Sequence, residues 1–111
     1  MPGTGGPALS TRVSRTGSTA TVELCGELDL ATAQSLRSCL APLVQDARAP
    51  DRLVLDLTDL TFLDASGISA LLTVQRTLAA RGGELVLRSP SRLVRRVVRV
   101  LDLEQLLPVE D

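Results

Sequence analysis

The chain of 111 residues has no histidine, no lysine, no tryptophan and no tyrosine, and Phe62 is its one aromatic residue. Without histidine there is no Ser-His-Asp or Cys-His nucleophile, no His-ligated zinc and no imidazole acid or base. Without lysine no Walker-type GxxxxGK run exists. A lone aromatic offers no platform for stacking single-stranded bases. Twelve basic against 13 acidic residues, net charge -1, leave no field to draw in a polyanion. Nucleic acid is therefore not an expected partner. Apolar runs such as Leu53 to Leu55 fall far short of the roughly 18 residues a membrane span needs, and the opening MPGTGGPALS lacks a basic-then-apolar signal. The expectation is a cytoplasmic protein without membrane insertion, metal or cofactor. Cys25 and Cys39 are spaced as neither a redox CxxC pair nor a zinc knuckle, and read as buried thiols.

What is present organises into one domain, with an expected radius of gyration of about 13 Å. The first residues, Met1 to Pro7, are rich in glycine and proline and bury nothing, so a disordered tail is expected over 1–8 and an ordered domain over 9–110. Leu9 to Arg15 and Thr19 to Leu24 flank Thr16-Gly17-Ser18 and read as an antiparallel hairpin. The period of two puts Ala20, Val22 and Leu24 on a core face and Thr21, Glu23 and Cys25 on a wetter one. Ala33, Leu36, Leu40, Leu43 and Val44 repeat at helical spacing, predicting a helix over about Thr32 to Ala47 capped by Thr32 and kinked at Pro42.

Arg52 to Leu57 has consecutive apolar residues and reads as a central strand covered on both faces. A second helix is expected from near Ser66 to Arg81, with Ile68, Leu71, Leu72, Leu78 and Ala79 inward and Gly82-Gly83 as its left-handed exit. Glu84 to Arg88 is a further strand. A third helix opens at Pro90, with Leu93, Val94, Val97, Val98 and Leu101 inward and Arg92, Arg95, Arg96 and Arg99 as a solvated basic ridge. Leu106 to Val109 closes the sheet as an edge strand. The order β, β, α, β, α, β, α, β makes an α/β domain: a mixed four- to five-stranded sheet packed against helices.

Chemistry is expected where Asp59 to Ile68 join the central strand to the second helix, since open α/β sheets dock ligands beyond their carboxyl strand ends. Ser66 reads there as a cap of the first turn, with Gly67 leaving its approach open. An anion on the Ser66 oxygen would meet free amides and the positive end of a helix dipole. The plainer reading, that Asp64 and Ser66 only cap a helix and Gly67 only fits a turn, stands beside the functional one. A serine hydrolase is excluded, because the chain has neither a GxSxG element nor a histidine base.

Three stretches in this order, GELDLATA at Gly26 to Ala33, LVLDLTDLTFLDASGISALL at Leu53 to Leu72 and GGEL at Gly82 to Leu85, resemble the STAS family of anti-sigma factor antagonists. The likeness spans Leu9 to Val109. It implies a single STAS domain, a binding protein and not an enzyme. It also implies that Ser66 is phosphorylated by an anti-sigma factor serine kinase and restored by a PP2C-type phosphatase. The unphosphorylated form would hold the anti-sigma factor and free the sigma factor. Glu27 and Asp29 match family positions that touch the kinase, and Leu30, Asp64, Gly67 and Ile68 complete the expected contact patch. Ala65 stands where the family often has a second hydroxyl, which leaves Ser66 as the acceptor. A STAS scaffold subunit of a stressosome-type or lipid-transport ATPase complex is the alternative.

Overall fold

The computed structural model describes residues 8–111, so the tail expected at the start lies outside the described residues except for Ala8. The elements are β1 (Leu9–Thr16), β2 (Thr19–Leu28), α1 (Leu30–Gln45), β3 (Arg52–Leu63), α2 (Ala65–Ala79), β4 (Glu84–Arg88), α3 (Arg92–Val100) and β5 (Val109–Glu110). They form a mixed five-stranded sheet in the order β1-β2-β3-β4-β5. The β1–β2 hairpin is antiparallel and every later pairing is parallel. Gly17, at φ 61°, is the first central residue of the two-residue turn, the place where a type II′ turn needs a positive φ.

Each parallel crossover steps to the next strand in the same direction. Right-handed connections of that kind all return on one side of the sheet. Accordingly Leu36 and Leu40 of α1, Leu71 and Leu78 of α2, and Val94 and Val98 of α3 share one core with Ala20, Val22, Leu53, Leu55, Leu85 and Leu87. The radius of gyration is 13.3 Å.

Among the described residues the opposite face carries no helix, yet Val54 and Val86, paired in register at its centre, are 0% and 4% exposed. Charged side chains of the same phase frame them. Arg52 Nε lies 3.4 Å from Glu84, Arg88 Nε lies 3.0 Å from Glu110, and Arg52 also reaches Glu110 across β4. Long arginine stems laid over apolar surface keep water off it while their heads stay wet. The central strand is thus covered on both sides, but on the second by an ionic lattice.

Several boundaries depart from expectation. Helix α1 starts two residues before Thr32 because Asp29 is its cap; it passes through Pro42 as expected but ends at Gln45, two residues short of Ala47. Strand β3 runs six residues beyond Leu57. In helix α3 only Val94 and Val98 are buried, while Leu93 and Leu101 are 63% and 54% exposed. A helix of nine residues lying at the sheet margin inserts one narrow stripe, so the wider apolar face predicted for it turns outward. Ala79 is exposed as well, being the last residue of α2. The closing strand is only Val109–Glu110; Leu107 is buried and Leu106 is exposed. Cys25 is exposed on the helix-free face and Cys39 is half-buried, its Sγ 3.4 Å from Thr11 Oγ1, so neither is the deeply buried thiol expected.

Candidate functional site

The far half of β3 carries two bulges that shape the site. Glu23 and Cys25 of β2 pair with Asp56 and Asp59, so β3 holds one more residue there than its partner; Gly26 and Glu27 pair with Leu60 and Phe62, which adds another. Threonines brace both places. Thr58 donates through its backbone N–H (3.0 Å) and its hydroxyl (2.6 Å) to Asp56 Oδ1. Those two bonds hold the Asp56 carboxyl below its usual range, against a smaller opposing effect of burial. Thr61 Oγ1 donates to Gly26 O at 3.0 Å. Each extra residue inverts the side-chain alternation, so that Leu57, Leu60 and Leu63, spaced by three, all turn toward the core side.

The strands end together, Leu28 beside Leu63, and each passes at once into a helix. Two aspartates make the turns. Asp29 caps α1: its Oδ1 accepts from Thr32 N (3.0 Å) while Thr32 Oγ1 accepts from Asp29 N (2.9 Å), a reciprocal capping box. Asp64 caps α2, accepting from Gly67 N at 3.0 Å, and its own N–H donates to Leu28 O at 3.3 Å. The two helix starts are thereby tied to the same strand end. Thr32 is the third residue of α1 and not its cap, and Ser66 is the second residue of α2 and not its cap. An aspartate three residues before Thr32 and another two residues before Ser66 outcompete the hydroxyls, because an ionised oxygen makes the stronger bond to a backbone amide.

Ser66 is consequently uncommitted. Ser66 is half-buried; among the described residues its hydroxyl makes no hydrogen bond, and no fully buried side-chain oxygen is left unpaired, so the Ser66 oxygen keeps some contact with solvent. With Leu30, Ala33, Arg37, Ala65 and Ser69 it lines a shallow depression of about 340 Å³ between the first turns of α1 and α2. Leu30 stands at its rim, 78% exposed. Glu27, Asp29 and Asp64 are half-buried nearby in the chain. Gly67 and Ile68 do not belong to this surface. Ile68 is 6% exposed, and Gly67 faces inward, where a Cβ would stand 2.5 Å from Leu63 Cδ1 and 2.9 Å from Leu28 O. Gly67 therefore serves the approach of α2 to the strand ends, not the approach of anything to Ser66. Arg37 and Ser69 were not anticipated, although Leu30, Ala33 and Arg37 fall at helical i, i+3 and i+7 spacing and so had to share a stripe.

A wider concavity of about 620 Å³ lies on the helix-free face, bordered by Arg12, Glu23, Cys25, Asp56 and Asp59. Among the described residues no group of His, Cys, Asp and Glu could hold a metal ion, and no helix is long and apolar enough to cross a membrane.

A family model described as "Mlab, STAS domain" matches residues 11–108. The chain belongs to the STAS-domain family. It is 30% identical over 90 residues to the anti-sigma F factor antagonist of Paenibacillus polymyxa, covering 81% of this chain and 76% of that one. An anti-sigma factor antagonist from Mycobacterium paratuberculosis has the same fold at 28% identity and a TM-score of 0.76, over 92% of this chain and 85% of the other. SpoIIAA in its unphosphorylated form superposes with a TM-score of 0.77 at 24% identity, over 92% and 89% of the two chains. This STAS domain therefore has the architecture of the antagonists, with both of its helix starts and Ser66 at one end of the sheet.

Proposed function

We propose that this STAS protein is an anti-sigma factor antagonist that works by exchanging partners. Unphosphorylated, it binds a cognate anti-sigma factor serine kinase in the bacterial cytoplasm and the sigma factor is released. The kinase moves the γ-phosphoryl group of ATP onto Ser66 Oγ; the ester bond forms as the β–γ bridge breaks, ADP leaves and the hydroxyl proton passes to the kinase. A PP2C-type phosphatase hydrolyses the ester and restores binding. The observation that carries this reading is the Ser66 hydroxyl, free of internal bonds among the described residues and set in the wall of the depression between α1 and α2. Further support comes from the antagonist named among its relatives and from SpoIIAA, whose fold has been solved in unphosphorylated and phosphorylated forms.

The contact patch is Glu27, Asp29, Leu30, Asp64 and Ser66. Leu30 supplies exposed aliphatic surface, and the acids face a basic partner surface. Phosphorylation adds about -1.5 to -2 charges beside those acids. In a contact that excludes water this costs about 3 kcal/mol, roughly a hundredfold in affinity. Titration calorimetry against the cognate anti-sigma factor tests it. Ser66→Ala keeps wild-type affinity and takes up no phosphate, whereas Ser66→Asp binds about a hundredfold more weakly with an unchanged fold. Equal affinity of Ser66→Asp and wild type refutes the charge switch. Recovery in an ATPase complex or a large particle, with Ser66 unmodified by any anti-sigma kinase, favours the scaffold role instead.

A further inference from the structure

We propose that Arg37 is the internal counter-ion of a phosphoryl group on Ser66: the phosphate folds into the depression between α1 and α2 and is held there by the guanidinium. This rests on the reading that Ser66 is phosphorylated, and it adds a residue that no part of that reading requires. The depression has six lining residues, and Arg37 is the one charged side chain among them. Arg37 also lines the adjoining hollow farther along the α1/α2 seam, with Ala41, Val44, Thr73 and Thr77, so its side chain borders both hollows between the helices. At present it is parked on a neutral acceptor of its own helix. Its Nη2 and Nε donate to Gln34 Oε1 at 3.1 and 3.4 Å.

A weak bond to a neutral amide at the surface yields readily to a charge-assisted one. A phosphate dianion offers three oxygens and matches the planar fork of arginine, and such pairs are about twice as strong as neutral ones. Engaging Arg37 does two things at once. It fills the depression beside Ser66, and it neutralises the one charged side chain among the residues that line it. The acids at this end of the sheet, Asp64 two residues before Ser66 and Glu27 and Asp29 at the end of the neighbouring strand, then face no free cation in the depression. The switch is then a local occlusion as well as a repulsion, and α1 and α2 need not move.

The charges predict opposite signs, which makes the idea testable. Glu27, Asp29 and Asp64 disfavour a second negative charge on the phosphate, whereas Arg37 favours it. Phosphoserine is placed at position 66 of the full chain by genetic-code expansion, with no kinase involved, and its second ionisation, near pH 6 for an unperturbed phosphoserine, is followed by phosphorus NMR. Folding of each variant is checked by circular dichroism. Removing the guanidinium in Arg37→Ala raises the midpoint by about 0.5 to 1 pH unit, and Arg37→Lys falls between the two because a point charge keeps attraction without the fork. Gln34→Ala, which frees Arg37 from its present acceptor, leaves the midpoint as low as in the parent or lowers it. Arg76→Ala, at the exposed last turn of α2, leaves it unchanged. Coincident titrations of the parent and Arg37→Ala, or an Arg76→Ala shift as large as that of Arg37→Ala, overturn the assignment. Neither result depends on whether a kinase modifies Ser66, so failure here and failure of the partner switch are separately visible.

Discussion

Replacing Gly67 by alanine separates a glycine that packs from a glycine that displays. On an open helix surface the change would stabilise by about 1 kcal/mol, because glycine surrenders more backbone freedom than alanine. Gly67 is instead the third residue of α2 and buried, with Leu63 Cδ1 at 2.5 Å, Leu28 Cγ at 2.9 Å and Leu28 O at 2.9 Å from the added carbon. The Leu63 methyl can turn aside. The Leu28 carbonyl cannot, since it belongs to β2 and accepts the Asp64 N–H. Relief requires α2 to back away from the strand ends. Overpacking of this kind costs about 1 to 3 kcal/mol, and loosening the Asp64–Leu28 bond adds about 1 kcal/mol. Set against the propensity gain, the net loss is about 1 to 3 kcal/mol, and Tm falls by roughly 4 to 12 °C for a domain of this size. Having neither tryptophan nor tyrosine, the chain is best followed by far-ultraviolet circular dichroism in urea and by calorimetry. An alanine variant as stable as the parent, or more so, would refute the inward role and return Gly67 to the contact surface.

Two further outcomes follow from the packing and the charges. The Glu110 carboxyl is held below the ordinary glutamate range, chiefly by its bond to Arg88 and, with burial working against it, also by Arg52. A lowered folded-state value means a contribution that is complete above the ordinary value, about 4.3, and lost as pH falls through the lowered one. Glu110→Gln is therefore less stable than the parent at pH 7, and the gap narrows in urea titrations between pH 5 and 3; an undiminished gap at pH 3 contradicts the ionic lattice. On α3, Leu93→Gln changes stability by less than about 0.5 kcal/mol, because the side chain is 63% exposed, whereas Val98→Ala at 0% exposure costs about 2 kcal/mol. Similar losses for the two, read from chemical denaturation, would restore the broad inward face predicted for that helix.

The order of elements, the hairpin, the strand Glu84 to Arg88 and the core residues of β2 and β3 were legible because β2 alternates with a period of two, the helices repeat at 3.6, and Leu53 to Leu55 and Leu85 to Leu87 are consecutive apolar runs bounded by charges or turns. Strand β3 beyond Leu57 was not, because the bulges at Thr58 and Thr61 convert an alternating pattern into one spaced by three, which imitates neither period. The helix starts came two residues early in α1 and one in α2 because Asp29 and Asp64 act before the Thr32 and Ser66 hydroxyls that the sequence also offers. Residues Leu30, Asp64 and Ser66 lie where the motif suggested, at the paired strand ends, while Gly67 and Ile68 point the other way. Helical phase alone cannot say which side of a short first turn meets the sheet. Arg37 entered only through the geometry of two neighbouring helices.

The two threonine insertions spend chain without gaining reach. Removing Thr58 would leave Asp59 and Leu60 in simple alternation opposite Cys25 and Gly26, with the oily and wet sides kept. Removing Thr61 as well would leave ten residues of β3 against the ten of β2, with Leu63 still beside Leu28. The serine would stand level with the neighbouring strand tip as before, so the extra pair governs the local coil and bend of the strand that delivers it, not the distance it is delivered.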